Sequence, residues 1–108
     1  MEGAIVEPSK IRDYLLSSFH PVGKHKAVFF RSLGYSQRRW DVLARDLRHH
    51  ARSHEAVPGR RSFQGRKYEV RGSLDGPSGR TAQVVSVWIV LKGEEVPRFI
   101  TAFPGVRP

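Results

Sequence analysis

The segment Thr81–Leu91 constrains the fold of this chain more than any other stretch of the sequence. It reads TAQVVSVWIVL, with β-branched and aromatic residues on both alternating faces, so neither face is typical of a solvated strand surface. A strand of this length would extend roughly 36 Å, longer than most strands. Ser86 lies midway and marks the place for a bend or for a functional hydroxyl. We predict that the segment is the central strand of an antiparallel sheet, covered by helices on one side and partly by loops or a partner on the other.

Strand patterns with a period of two flank this segment. Lys67–Leu74 alternates apolar and polar residues and predicts a half-buried strand, which the turn formers of residues 75–79 join to the central strand. Pro97–Phe103 is predicted as the last strand, because a proline is tolerated where a strand begins. The stretch His54–Gly65 contains Pro58, Gly59 and Gly65 and is predicted as a loop.

Three helical patterns precede the strands. Ser9 caps the first, the second begins near Val22 or Lys24 and stops at Gly34, and Ser36 caps the third. The buried stripes are predicted to be Ile11, Leu15 and Phe19; Ala27, Phe30 and Leu33, widened by Val28 and Phe29; and Trp40, Leu43, Ala44, Leu47 and Ala51. The sequence therefore predicts one α+β domain over residues 1–108, with a core at 9–104. About three N-terminal helices pack on an antiparallel three- to four-stranded meander.

The charge of the chain favours an anionic partner. Nineteen Lys and Arg residues face ten Asp and Glu residues, giving a net charge of +9, which suits RNA, DNA or an acidic protein. There is no cysteine, so disulfides, thiolate zinc sites and cysteine nucleophiles are excluded. No apolar run approaches the ~18 residues of a membrane span, and the amino terminus lacks the pattern of a signal peptide. We expect a cytoplasmic protein without membrane contact.

Histidines and lysines cluster where the second helix begins. The sequence HPVGKHK, residues 20–26, holds two imidazoles, which exchange protons near pH 7, and two lysines, which can hold a phosphate. The alternative interpretation is a basic loop that only starts a helix. His50 and His54 have a metal-binding spacing, but no third ligand accompanies them, so we predict no metal site.

Other basic residues could form a phosphate-binding surface. The candidates are Lys24, Arg45, Arg48, Arg60, Arg61 and Arg71. The alternative is a face that only keeps the protein soluble. Glycine-rich nucleotide motifs, a serine nucleophile elbow and paired carboxylates are all missing, so we predict no cofactor. If the protein is an enzyme, it is expected to use acid–base and cationic groups without a metal.

Longer motifs resemble a bacterial family known only as a domain of unknown function. They include DYLLSSFHPVGKHKAVFFRSLGYS, WDVLARDLRHHA, KYEVRGSLDGPSGRTAQVVSVWIV and PRFITAFPG, and they cover the chain from Ile11 to Pro104. They match the family patterns HPxGxxKAxFF and GPxGRxAxVxxVW, and they match PRxxTAYP except at the tyrosine. Members are associated with toxin–antitoxin or polymorphic-toxin gene neighbourhoods. The resemblance implies a toxin with an acidic antitoxin or immunity protein as partner.

The order of helices and strands also resembles the metal-independent ribonucleases of the barnase–EndoU–colicin–RelE type. This resemblance implies an endoribonuclease in which His20 is the general acid or base and Lys26 and Arg98 stabilise charge. Thr101 or Ser86 would donate hydrogen bonds to the phosphate. Regular alternation places Arg98 and Thr101 on opposite faces, so both can line one cleft only if the strand bulges.

Phe103 departs from the tyrosine that is usual in the last motif, so we leave it out of the predicted site. Two alternatives to the ribonuclease remain. One is a non-catalytic basic module that binds RNA or an acidic protein, and the other is a structural partner in a two-gene pair.

Overall fold

The chain folds into a layer of helices followed by a four-stranded antiparallel sheet, and a computed structural model describes residues 1–105. The helices are α1 Pro8–Lys10, continued by a π-helical turn at Ile11–Leu15, then α2 Lys24–Ser32 and α3 Trp40–Ser53. The strands are β1 Ala56–Ser62, β2 Gly65–Asp75, β3 Thr81–Leu91 and β4 Pro97–Pro104, in the order β1-β2-β3-β4. The predicted α+β arrangement is confirmed.

Strand β3 is the centre of the sheet, with the predicted boundaries. It pairs with β2 from Thr81 to Leu91 and with β4 on its other edge. Val84 and Trp88 face the helices and join a core that includes Leu43 and Leu47 of α3. The other face of the strand is buried at its middle, where Val85 and Val87 are inaccessible or nearly so, and exposed at its start, at Thr81 and Gln83.

The segment predicted as a loop before β2 contains a strand instead. β1 pairs with β2 from Ala56 to Ser62, and the register shifts between Pro58 and Arg61. Nearly all of β1 is exposed. An edge strand tolerates proline and glycine at such an irregularity, which explains why turn-forming residues did not prevent pairing.

The first helix is shorter than its periodicity predicts. Glu7 precedes it, so the predicted cap Ser9 lies within α1. The chain leaves the helix after Leu15, and the Ser17 hydroxyl then accepts the backbone N–H of Phe19. Phe19 is 94% exposed, so its predicted place in the buried stripe is wrong.

The second and third helices follow their predicted stripes, with one exception. Ala27, Phe30 and Leu33 are buried, whereas Val28 is 72% exposed and contributes nothing to the core. Gly34 ends the second helix with φ 101°, a conformation that favours glycine.

The third helix carries the widest buried stripe. Leu43, Ala44, Leu47 and Ala51 are buried as predicted, and Trp40 packs against them from the helix start. Ser36 accepts the backbone N–H of Arg39 at 3.3 Å, one residue before the helix begins.

A buried polar chain ties α3 to the sheet. Trp88 Nε1 donates to Ser86 Oγ at 2.9 Å, Ser86 Oγ lies 3.0 Å from His50 Nδ1, and His50 Nε2 lies 3.1 Å from the Gly72 carbonyl oxygen. If Ser86 donates to Nδ1 and Nε2–H donates to Gly72, every group is satisfied by a neutral imidazole. His50 lies in the last turn of α3 and is buried.

This arrangement predicts that stability falls in mild acid. Burial lowers the pKa of His50, so in the window below its unfolded value of ~6.5 the unfolded chain binds a proton that the folded chain does not. The free energy of unfolding should be highest above that pH and decrease as the pH falls through the window. Urea unfolding at pH 8, 7, 6 and 5 measures this decrease. A His50→Gln variant should show a flatter profile, and equal pH slopes for the two proteins would contradict the assignment.

Candidate active site

Three polar side chains from three different elements meet at one point. Lys26 Nζ of α2 donates to the hydroxyl oxygen of Tyr14 at 2.6 Å and to Thr101 Oγ1 of β4 at 3.3 Å. The Tyr14 hydroxyl and Thr101 Oγ1 are 3.0 Å apart. All three side chains are half-buried. We call Tyr14, Lys26 and Thr101 the tyrosine–lysine cluster.

The N-terminal segment brings Tyr14 to the sheet edge. Ile5 bonds to the backbone of β4, donating to Pro97 O at 2.8 Å and accepting from Phe99 N at 2.9 Å. The chain then turns through α1 into the π-helical turn that carries Tyr14. Since Ile5 occupies only the first part of the β4 edge, Thr101 further along that strand is left to meet the tyrosine.

His20 lies beside the cluster and closes the turn before α2. Its ring meets the Tyr14 ring edge-on, with 5.0 Å between centroids. Nδ1 accepts the backbone N–H groups of Val22 and Gly23, each at 3.0 Å, and the His20 carbonyl accepts from Lys24 at 3.0 Å. The ring therefore caps this turn as an N-cap side chain caps a helix. Because Nδ1 accepts both bonds, this geometry places the ring N–H on Nε2.

Gly23 permits this turn to pack directly on the tyrosine. A Cβ atom at position 23 would overlap the carbonyl oxygen of Tyr14, so no other residue fits without a shift of the backbone. The motif from His20 to Lys26 therefore contains a glycine that the packing requires, in addition to its charged side chains.

The environment of Tyr14 favours its ionised form. Partial burial opposes ionisation, but hydrogen bonds from Lys26 and Thr101 and the charges of Lys26 and Lys10 outweigh it, and they hold the pKa of Tyr14 below its ordinary value. The ammonium groups of Lys26 and Lys10 lie 5.1 Å and 5.9 Å from the ring centroid. A phenol with a lowered pKa and an adjacent ammonium is a group able to exchange a proton.

The cluster opens onto a shallow cleft of about 530 Å³. His20, Lys10 and Thr101 line it with Ile100, and Asp13 is the only carboxylate on its wall among the described residues. Asp13 is paired with Arg12 at 3.1 Å. The cleft thus presents the Lys10 ammonium and the polar groups of Tyr14, His20 and Thr101 to a ligand.

The chain matches a family described as a domain of unknown function, DUF6883, over residues 1–106. The chain belongs to the DUF6883 family. This confirms the resemblance to a domain of unknown function that the motifs indicated. No curated protein matches the DUF6883 chain.

The fold of this DUF6883 protein is similar to that of a solved chain. That chain comes from a contact-dependent growth inhibition toxin–immunity protein complex of Klebsiella pneumoniae 342. The TM-score is 0.74 at 19% sequence identity, and the match covers 97% of this chain and 96% of the other. At this identity the likeness shows a shared fold.

Two of the predicted site residues of the DUF6883 protein, Lys26 and Thr101, meet in the cluster, and His20 lies beside it. The bulge that the prediction required is present in β4. Thr101 pairs with Val87 and Arg98 with Ile89, two positions on the same side of β3.

Arg98 is nevertheless engaged elsewhere. Its guanidinium lies 3.2 Å from the Glu94 carboxylate and 3.8 Å from that of Glu7. None of its hydrogen bonds or ion pairs within residues 1–105 reaches the tyrosine–lysine cluster.

Ser86 is separated from the cluster by its burial. Its side chain is fully inaccessible, and its hydroxyl is occupied by Trp88 and His50. In this position it has no access to the cleft.

The predicted phosphate-binding residues are spread over several surfaces. Arg45 and Arg48 lie on α3, where Arg45 pairs with Asp46 at 3.2 Å. The rest are Lys24 at the start of α2, Arg60 and Arg61 on β1, and Arg71 on β2. These basic residues do not form one continuous patch with the tyrosine–lysine cluster. Lys24 lies on α2 together with Lys26, and the others lie on elements that contribute no residue to the cluster.

Tyr14 is the residue that sequence reasoning missed. Its position beside an apolar helical stripe is typical of packing, and its partners lie 12 and 87 residues away along the chain. The sequence offered one signal for Tyr14. Phe103 replaces the tyrosine that is usual in the last motif, and a tyrosine on another element can supply the missing phenol. No spacing rule connects these two positions.

Within residues 1–105 no group of three or more histidine and carboxylate side chains is arranged to hold a metal ion. None of the helices in that range combines the length and the apolar character needed to cross a membrane.

The tyrosine–lysine cluster predicts that the pKa of Tyr14 is lowered and that this lowering depends on Lys26. NMR titration of ring-labelled tyrosine should place the pKa of Tyr14 below the usual ~10, and Lys26→Met should raise it. Tyr35 stays distinct because burial and its bond to Asp46 raise its pKa. Lys24→Met removes the same charge from an exposed position and should leave the Tyr14 pKa unchanged. Equal shifts in the two lysine variants would contradict the assignment.

Proposed function

We propose that this protein is a metal-independent endoribonuclease that acts as a toxin in a bacterial growth-inhibition system. The observation that carries the proposal is the tyrosine–lysine cluster, which joins a phenol of lowered pKa to the Lys26 ammonium beside a cleft that Tyr14 and Lys10 line. RNA suits such a site, because its own 2′-hydroxyl is the nucleophile and a metal is not required. Acid–base and electrostatic groups then suffice.

The reaction needs a proton acceptor, a proton donor and a stabiliser of negative charge. The 2′-oxygen forms a bond to phosphorus, the bond from phosphorus to the 5′-oxygen breaks, and a 2′,3′-cyclic phosphate and a 5′-hydroxyl result. The Tyr14 phenolate takes the 2′-hydroxyl proton. Lys10, which lines the cleft, returns a proton to the departing 5′-oxygen. Lys26 and Thr101 stabilise the phosphorane by charge and by a hydroxyl donor.

His20 has a positioning role in this proposal. Its Nδ1 lone pair is occupied by two backbone N–H groups, so the ring holds the start of α2 and, through that helix, Lys26. The Nε2–H remains available to a phosphate oxygen. Arg98 and Ser86 are left out, because Arg98 is paired with glutamates and Ser86 is buried.

The toxin role is supported by the fold and the charge. The similar solved chain belongs to a complex of a growth inhibition toxin with its immunity protein. A net charge of +9 suits the member of such a pair that binds an anionic substrate. An immunity protein for this chain would be acidic and would cover the cleft.

A non-catalytic basic module is the second candidate, favoured by the exposed arginines of β1 and α3. It predicts RNA binding that depends on arginines and that weakens steeply as salt is added, and it predicts no cleavage. Substitution of Tyr14 distinguishes the two candidates, because only the ribonuclease needs its hydroxyl.

Incubation of purified protein with bulk RNA in excess EDTA tests the proposal. The wild type should cleave RNA, and Tyr14→Phe, which removes only the hydroxyl, should slow cleavage by about 10²- to 10⁴-fold because the proton acceptor is lost. Lys24→Met is the matched control for Lys26→Met and should retain activity. Intact RNA with wild-type protein, or full activity in Tyr14→Phe, would overturn the proposal.

The role of His20 is separable by two substitutions. His20→Asn keeps a side chain that caps such turns well, whereas His20→Ala does not. A positioning role predicts that His20→Ala loses at most about tenfold in cleavage rate and that His20→Asn recovers most of it. If His20 were instead the proton acceptor, both variants would lose activity equally and by far more.

A further inference from the structure

The sheet extends beyond the helices that cover it. Strands β2 and β3 would each span roughly 36 Å, whereas α3, with 14 residues, spans about 21 Å. The uncovered end lies at the β1–β2 hairpin. There Arg66 pairs with Val90 and Tyr68 with Trp88, so these side chains share the face of the sheet that carries the core. Unlike Trp88, the residues Arg66, Tyr68 and Val90 are only half-buried.

A second cleft, of about 420 Å³, occupies this uncovered end. Its walls combine two aromatic rings, Phe63 and Tyr68, with the cationic side chains of Arg61, Arg66 and Lys92. Phe63, in the hairpin turn, is 87% exposed. The one carboxylate on the wall within the described residues, Glu94, is already paired with Arg98 at 3.2 Å. We call this the hairpin cleft.

Arg66 has a donor that lacks a partner. Its Nε atom is buried and has no hydrogen-bond acceptor within residues 1–105. A buried guanidinium donor without an acceptor is unfavourable, because the bond it made to water in the unfolded chain is not replaced. An anionic oxygen in the hairpin cleft would restore that bond, and two further cations stand beside it.

We propose that the hairpin cleft binds a nucleotide of the single-stranded RNA substrate outside the tyrosine–lysine cluster. The base stacks on Phe63, and Arg66, assisted by Arg61 and Lys92, binds the phosphate. An aromatic face beside a cationic groove is the arrangement by which proteins hold single strands without regard to sequence. This inference rests on the proposed ribonuclease function and adds a second contact to it.

The distance between the two sites fits a strand of several nucleotides. Thr101 of the cluster pairs with Val87, and the hairpin cleft begins at Val90 and Leu91 on the same strand. Four residues of β3 amount to ~13 Å, and the step from β4 to β2 adds about two strand spacings of ~4.8 Å. Since Val87 and Trp88 point to opposite faces of β3, a strand that reaches both Thr101 and Tyr68 also passes around the edge of the sheet. A dinucleotide, with a stacked rise of ~3.4 Å per nucleotide, fills the cluster without reaching the hairpin cleft.

The test uses a fluorescent 2′-O-methyl decaribonucleotide, which cannot be cleaved because its 2′-hydroxyl is blocked. Anisotropy should show that Phe63→Ala weakens binding about tenfold and that Arg66→Gln weakens it comparably. Arg38→Gln removes the same charge from an exposed position outside the cleft and is the matched control. Because Phe63 is exposed, its loss should not unfold the protein, and circular dichroism checks this. Cleavage of a dinucleotide should be unchanged in Phe63→Ala.

The outcomes separate this inference from the proposed function. If the wild type cleaves RNA but Phe63→Ala and Arg66→Gln bind the decamer as Arg38→Gln does, the hairpin cleft is overturned and the ribonuclease stands. If the wild type neither binds nor cleaves RNA, both fall. If Phe63→Ala weakens binding of an acidic protein partner and not of the decamer, the cleft is a protein interface and the inference is wrong.

Discussion

The structure depends on a central strand that is buried on both faces. Because β3 pairs with a neighbour on each edge and Val84 and Val85 are both inaccessible, it fixes the register of β2 and β4 around it. The core above it is closed by α3, and the buried chain from Trp88 through Ser86 to His50 joins that helix to the sheet by hydrogen bonds. A polar chain of this kind specifies one arrangement of the helix, since any slip would leave its donors unpaired.

The edge strand β4 supplies Thr101, the residue through which the sheet joins the tyrosine–lysine cluster. Its bulge shifts the pairing between Val87 and Trp88, so Thr101 is displaced by one position relative to a regular strand. The N-terminal segment pairs with the first part of the same edge through Ile5, which leads Tyr14 toward Thr101. The cluster therefore joins the beginning and the end of the chain, and Lys26 enters it from a helix whose start is held by His20.

Periodicity predicted those parts of the fold in which one local pattern decides the structure. It gave the limits of β3 and the buried stripe of α3, because each depends on residues that are neighbours in sequence. It failed at β1, where pairing to β2 overrode the turn preference of Pro58, and at Phe19, where a π-helical turn ended the helix early. The motifs supplied Lys26 and Thr101. Sequence analysis missed Tyr14, because its contact with Thr101 joins residues that are 87 positions apart in the sequence.

The chemistry of the site follows from the same partial burial that hides it from sequence analysis. In water a tyrosine and a lysine would gain little from each other, because solvent screens their interaction. Here Tyr14 is half-buried with its oxygen 2.6 Å from an ammonium. Burial would raise its pKa, but the hydrogen bonds from Lys26 and Thr101 and the charges of Lys26 and Lys10 together outweigh that effect. In the same chain His50 is held in its uncharged form instead. It is buried without an anionic partner, and burial lowers its pKa. Whether a buried titratable side chain stays neutral or is stabilised as an ion is decided by the charge placed next to it, and in this protein α2 places that charge beside Tyr14.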